Sequence, residues 1–250
     1  MSGLHQLRSR PVGLALSGGS VRGLAHIGVI KFLSETGIHP AVITGTSAGS
    51  LIGAMLAAGT RWEAIACLAS RTFWPKLLRG GSLEQFCADH LPAAFADLKI
   101  PFAAIATEYP AKRPLIITKG PLASAISASC ALRGVRRQVK REEKSLKDGG
   151  IACVLPSEAC RAMGADFVIG SDVWGVSSLL LSVGIHPHHP RAGRAFPSHY
   201  RSAVRHTDLI IHPDGPLAGY LPGRLGVERM IAAGERAARL AFDHFFAQAA

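Results

Sequence analysis

Ala41-Val42-Ile43-Thr44-Gly45-Thr46-Ser47-Ala48-Gly49-Ser50-Leu51-Ile52-Gly53-Ala54-Met55-Leu56 is the stretch that decides the fold. Ala41–Thr44 is a short run of apolar and β-branched residues, the composition of a buried strand. Leu51, Ile52, Met55 and Leu56 then recur at helical spacing. Between strand and helix stands Gly45-x-Ser47-x-Gly49. Gly45 and Gly49 carry no Cβ, so strand and helix can crowd together while the Ser47 hydroxyl projects outward. The N-terminus of the following helix adds partial positive charge beside that hydroxyl. Small residues also form such turns for packing alone, so the flanking strand and helix give the motif its weight as a nucleophile elbow. Ala41 to Thr60 holds no charged residue and is long enough to span a bilayer. Its glycines and hydroxyls fit a strand, a sharp turn and a buried helix better than a membrane span.

Upstream, Val12–Leu16 reads as another buried strand, followed by Gly18-Gly19-Ser20-Val21-Arg22-Gly23. Leu24, Ile27, Ile30 and Leu33 then mark a helix, with Gly37 as its stop. Strand, helix, strand makes a βαβ unit with a parallel pair and a right-handed crossover. Both turns fall on the edge of the sheet where ligands bind in open α/β folds. Consecutive backbone N–H groups in the glycine loop can face one anion. A phosphate loop would need Lys-Ser/Thr after the last glycine, where Leu24-Ala25 stands. A dinucleotide fingerprint needs Gly-x-Gly-x-x-Gly, and Gly18 and Gly19 are adjacent. What remains is an oxyanion hole or a plain tight turn.

A serine nucleophile needs a base. His26 lies one turn into the first helix, as a packed helix residue rather than a base. His186, His188 and His189 sit in an irregular Pro-rich loop, where exposed histidines are commoner than a metal site. Asp148, in Asp148-Gly149-Gly150, follows a polar, basic stretch and stands in a tight turn. An aspartate is a poor base in water, with a pKa near ~3.9, but partial burial raises that value and makes a two-residue Ser-Asp dyad workable.

The rest of the chain bounds the reading. Its 250 residues, 48% hydrophobic and 18% charged, suit one α/β domain spanning the whole chain after a short tail at 1–10. A formal net charge of +11 draws such a protein toward polyanions. Aromatic residues are 6% and do not interleave with the basic ones, which favours a lipid surface over nucleic acid. The five cysteines form no CxxC pair, and no apolar signal segment precedes the first strand, which fits a reducing cytoplasm. Helices are expected at Trp62–Ser70, Ala123–Leu132, Ser157–Met163 and Val227–Phe246, and a capping box at Ser82–Gln85 opens another at Leu83–His90. Pro101–Thr107 and Leu115–Thr118 read as a hairpin, with further strands at Phe167–Val173 and Leu209–His212. Arg133–Lys147 and Ser177–Ser202 read as loops. The basic run Arg133, Arg136, Arg137, Lys140, Arg141, Lys144 and Lys147 is either a solvated face or a dock for anionic membrane.

Together, Leu14 to Gly28, Gly45-Thr46-Ser47-Ala48-Gly49-Ser50 and Asp148-Gly149-Gly150 resemble the patatin-like phospholipase family. Weaker similarity runs through Ala125–Cys130 and Met163–Asp166, so the resemblance covers roughly residues 11 to 175. It implies a three-layer α/β/α fold with a mostly parallel central sheet, and lipid acyl hydrolysis of the phospholipase A or lysophospholipase kind with no cofactor or metal. It also implies Ser47 as nucleophile, Asp148 as base, and backbone N–H groups around Gly18, Gly19 and Ser20 as the oxyanion hole. Arg22, beside Gly23, would brace the loop or neutralise a substrate phosphate. The substrate would be a phospholipid or other acyl ester, and the protein cytoplasmic or peripheral on the inner membrane face. The chain departs from the family where Ser20 replaces a common glycine. It departs again at Leu132–Gln138, where apolar positions have become arginines, and at Ile151-Ala152-Cys153, which lacks the usual asparagine. These departures leave open a weakly active or inactive lipid-binding or regulatory protein, and a soluble small-ester or thioester hydrolase.

Overall fold

The computed structural model describes residues 2–77, 81–131, 139–141, 144–187, 195–213 and 223–248. The helices are α1 (Ser2–Arg8), α2 (Ala25–Glu35), α3 (Ala48–Ala57), α4 (Trp62–Arg71), α5 (Trp74–Leu77) and α6 (Ser82–His90), then α7 (Leu122–Ser129), α8 (Ser157–Ala162), α9 (Gly175–Ser182), α10 (Ser198–Arg205) and α11 (Arg224–Gln248). The strands are β1 (Val12–Leu16), β2 (Val42–Thr46), β3 (Phe102–Tyr109), β4 (Arg113–Ile117), β5 (Val139–Arg141), β6 (Lys144–Asp148), β7 (Phe167–Ser171) and β8 (Leu209–Ile211).

All eight strands join one sheet. Its parallel part runs β8-β7-β1-β2-β3. β4 closes the hairpin expected after β3, pairing Ala104–Glu108 antiparallel with Ile117–Arg113. β2 pairs with Ile43↔Phe102 through Thr46↔Ile105, and β6 with Ala106↔Asp148 through Tyr109↔Ser145. A strand has two edges, and β4 overlaps both of these partners along β3. β2 and β6 therefore lie end to end on the same edge of β3. Thr46 and Asp148 stand opposite the consecutive residues Ile105 and Ala106.

Side chains alternate across the strands as the pleat requires. Leu14, Leu16, Ile43, Phe167, Ile169, Leu209 and Ile211 face a core shared with α2, α3, α7 and α11. Ala15, Val42 and Val168 face a second core built with α8 and α10, centred on Phe196 and Tyr200. The result is the expected three-layer α/β/α arrangement. α11 buries Val227, Met230, Ala233, Gly234, Ala238 and Phe242, one stripe at helical spacing.

The N-terminal tail carries α1 over Ser2–Arg8, with Leu7 buried and Arg8 Nε donating to Thr36 O at 2.8 Å. Several expectations are corrected. α6 begins at Ser82 with Gly81 at its cap, so Ser82 does not open a capping box. The basic stretch read as a loop carries β5 and β6, because β3 offers an unpaired edge beyond the end of β2. The Ser177–Ser202 stretch carries the end of α9 and the start of α10. Leu132–Gln138, His188 and His189 lie outside the described residues. The uncharged stretch 41–60 folds as β2, a turn and α3, and no described helix is long and apolar enough to cross a membrane.

Candidate active site

Ser47 sits between β2 and α3 with φ 52° and ψ −120°. A left-handed φ at a residue bearing a side chain is strained and persists only where its surroundings enforce it. Here the enforcement is local crowding. A Cβ on Gly45 would meet the Gly49 carbonyl, and one on Gly49 would meet the Leu16 carbonyl. From below, the Ser47 N–H donates to Ser129 Oγ at 2.8 Å, and that hydroxyl donates to Ile105 O at 2.6 Å. Ser50 Oγ donates to Ser47 O at 2.6 Å. The Ser47 hydroxyl does not cap its own helix, so it stays free for chemistry at the positive end of α3.

Asp148 ends β6, and its own backbone is fixed: its N–H donates to Ala131 O at 3.0 Å and its carbonyl accepts from Thr107 Oγ1 at 2.8 Å. Oδ1 accepts from the Gly150 N–H at 2.9 Å. Oδ2 is buried and has no hydrogen-bond partner among the described residues. Burial pushes this carboxyl up from 3.8 to about 6, against the pull of the Gly150 N–H and the weaker pull of the Ser47 hydroxyl. Ser47 thus lies near enough to act on the carboxylate, although no hydrogen bond of normal geometry joins them. The shared edge of β3 explains how residues a hundred positions apart meet.

The glycine loop abuts the serine. A Cβ on Gly18 would lie 3.5 Å from Ser47 Cβ, and one on Gly23 would strike Ala48 Cβ at 2.6 Å. Gly18 itself departs from expectation, because its N–H is spent on Val154 O at 2.9 Å. The N–H groups of Gly19 and Ser20 donate to no described group. They open a tight turn running to Leu24, where a helix leaves its first donors unpaired. Ser20 holds φ 54°, the conformation that a glycine there would adopt without strain. Arg22 is buried, and its Nε donates to Val173 O at 3.1 Å, tying the loop to the strand end of β7. Val173 returns the tie by donating its N–H to Ser17 Oγ at 2.8 Å. Of the two roles open to Arg22, this contact fits the brace.

His26 is fully buried. Its Nε2 is 3.0 Å from the Ser17 carbonyl, which can only accept, so Nε2 carries the proton and Nδ1 accepts from Ser171 Oγ at 2.7 Å. Burial lowers its pKa to about 4, so it is a neutral packing residue, as read from the sequence. Two contributors escaped the sequence reading. Ser129, within the Ala125–Cys130 similarity, supplies the hydroxyl beneath Ser47. Asp172, beyond the end of β7, is fully buried with Oδ1 accepting from Trp174 N–H at 2.9 Å and Oδ2 accepting from Tyr200 OH at 2.6 Å. His212 Nδ1 lies 3.4 Å from Oδ2, near enough for charge but without hydrogen-bond alignment.

A Gly-x-Ser-x-Gly elbow thus stands against a loop whose Gly19 and Ser20 N–H groups donate to no described group, and beside a buried, half-satisfied carboxylate. The profile of the family described as Patatin-like phospholipase matches residues 14–159, more than half of the chain, and the chain belongs to that family. An uncharacterized NTE family protein of Mycobacterium bovis is 35% identical over 179 residues, covering 66% of this chain and 49% of that protein. The lysophospholipase nte1 of Aspergillus fumigatus is 31% identical over 195 residues, covering 69% of this chain and 12% of that protein. The chain thus spans half or less of the length of these relatives. Among solved structures, VipD from Legionella pneumophila superposes with a TM-score of 0.63 at 12% identity, over 94% of this chain and 66% of that one, a likeness of fold.

Proposed function

We propose that this chain is a serine lipid acyl hydrolase working through a Ser47–Asp148 dyad. Membership of the patatin-like phospholipase family supports hydrolysis of lipid acyl esters. Ser47 Oγ attacks the ester carbonyl carbon as its proton passes to Asp148 Oδ2. The N–H groups of Gly19 and Ser20 receive the oxyanion, and Gly18 contributes only its backbone turn. Asp148 then gives its proton to the departing alcohol, leaving the acyl group on Ser47. Water, deprotonated by the same carboxylate, then attacks the acyl carbon, and the proton passes from Asp148 to the departing Ser47 Oγ as the acid leaves. Every step uses side chains and backbone amides alone.

The observation that carries this reading is Asp148 Oδ2, buried, unpaired and beside a serine on a strained turn. A carboxyl raised to about 6 accepts a proton in the transition state far better than one at 3.8. The relative named as a lysophospholipase favours a phospholipid or lysophospholipid substrate. The net charge of +11 favours work at an anionic membrane surface, with the Arg133–Lys147 stretch as one contact. Fluorophosphonate labelling tests the nucleophile: wild type should label rapidly and Ser47→Ala not at all. Absence of labelling in wild type would favour the lipid-binding alternative. Ester turnover that survives Ser47→Ala would end the proposal.

A further inference from the structure

Helix α9 presents an unusual surface for a folded chain. Ser177 is fully buried, and Leu180 packs on the core around Phe196 and Tyr200. The opposite side carries Val176, Leu179 and Val183, at 43%, 62% and 64% exposure. These positions follow helical spacing, so they form one continuous apolar stripe facing water. No charged residue occurs from Val173 to Ile185, and the exposed Ser182 hydroxyl beside the stripe is spent on the Leu179 carbonyl.

The stripe is fastened to the candidate site. Val173, just before α9, exchanges hydrogen bonds with Arg22 and Ser17 of the glycine loop. Gly175, the first residue of α9, lies beside the Arg22 guanidinium. Asp172 holds the same turn through the Trp174 N–H. Ile151, in the turn that follows Asp148, is a further exposed apolar side chain, at 40%.

We propose that the outward face of α9, formed by Val176, Leu179 and Val183, is the surface on which the protein settles onto an anionic lipid layer, bringing the adjoining site to the membrane. Charge complementarity selects this occupant. From Val173 to Thr207 the chain contains no Asp or Glu, while Arg191, Arg194, Arg201 and Arg205 all fall in that span. An apolar face in a stretch of purely cationic character, on a chain of net charge +11, matches an acyl interior beneath anionic headgroups. The inference rests on the proposed acyl-ester chemistry only for what the membrane presents to the site.

The test is co-sedimentation of the Ser47→Ala protein, which leaves the vesicles intact, with mixed phosphatidylcholine–phosphatidylglycerol vesicles. Leu179→Gln combined with Val183→Gln should lower partition by about ten- to hundredfold, since each removes an exposed apolar side chain from the buried contact. Leu240→Gln on α11, at a position 70% exposed but remote from this face, should leave partition unchanged. Pure phosphatidylcholine should bind more weakly than the anionic mixture. In the background that retains Ser47, the α9 double variant should turn over a short water-soluble ester at the wild-type rate. The proposal is overturned if the α9 variant binds vesicles like its parent, or if the parent binds none. It is also overturned if the parent is a dimer that the α9 variant dissociates, because the face then covers a second copy. If no form hydrolyses the short ester yet the α9 variant still loses vesicle binding, the docking surface stands and the dyad falls.

Discussion

Two aspartates sit buried near the same edge of the sheet, and the fold treats them in opposite ways. Asp148, at the end of β6, has one donor on Oδ1 and none on Oδ2, and burial lifts its carboxyl to about 6. Asp172, after β7, is also buried, and burial alone would lift it too. Instead the neighbouring His212, with the hydroxyls of Tyr200 and Ser177, outweighs desolvation and holds its carboxyl below the ordinary value. The contrast shows that burial alone does not set the direction of a carboxylate's pKa; the charge and the donors beside it can outweigh it. Asp172, its carboxyl held below the ordinary value, anchors the turn behind the glycine loop through the Trp174 N–H. Asp148 is left under-satisfied beside Ser47, where the proposed dyad requires a proton to come and go.

The largest test of this contrast is Asp148→Asn, which removes the base. Turnover of an acyl ester should fall by about 10³-fold while the fold persists. In the unaltered protein, kcat/KM should decline below about pH 6, as the carboxyl that must be ionised takes up its proton. A profile flat from pH 5 to 8 would assign the proton to another group, and no described histidine hydrogen-bonds Ser47 or Asp148. Next in size, Asp172→Ala should destabilise the protein by about 3 kcal/mol or more, because Tyr200 OH and the Trp174 N–H lose a buried acceptor. Urea titration reads this directly.

Asp148→Asn should do the reverse to stability. The folded chain holds the Asp148 proton more tightly than the unfolded chain, from 3.8 up to about 6. Stability contributed by this group therefore declines as pH rises through that window, and the penalty is complete above it. Removing the charge should raise stability at pH 7 by about 1–3 kcal/mol and flatten the dependence between pH 4 and 6. The smallest effect is at Ser20, where Ser20→Gly relieves a left-handed φ of 54° and should stabilise by about 1 kcal/mol or less. Thermal melts at fixed pH would resolve it.

Local chemistry made the first half of the site legible. Ser47 and the glycine loop each occupy one strand-to-helix turn, and the residues that shape each turn are contiguous. Asp148 was readable for a weaker reason, a carboxylate in a tight turn with the family resemblance behind it. What tertiary contacts decide was not legible. Gly18 looked like an amide donor until Val154, far along the chain, took its N–H. β6 lies within a Lys/Arg-rich stretch with no clean alternation, and it is a strand because β3 supplies the partner. α9 shows no polar-apolar periodicity, since both its buried side and its exposed side are apolar or small. The Asp172 cluster gathers side chains from β7, α9, α10 and the end of β8, and only folding brings them together.

The common edge of β3 has one more consequence. The proposed nucleophile and base are both gauged against Ile105 and Ala106, and the excursion between Tyr109 and Lys144 returns to hold each of them, Ser129 Oγ on the Ser47 N–H and Ala131 O on the Asp148 N–H. Length changes in the turn between β3 and β4 can reshape the surface there without detuning the pair, provided α7 and Ala131 keep their places. A slip of one residue in β6 is different. It would shift the carboxylate about 3.3 Å along the strand and turn it to the opposite side of the sheet, parting the proposed pair and turning buried Leu146 out of the core with it.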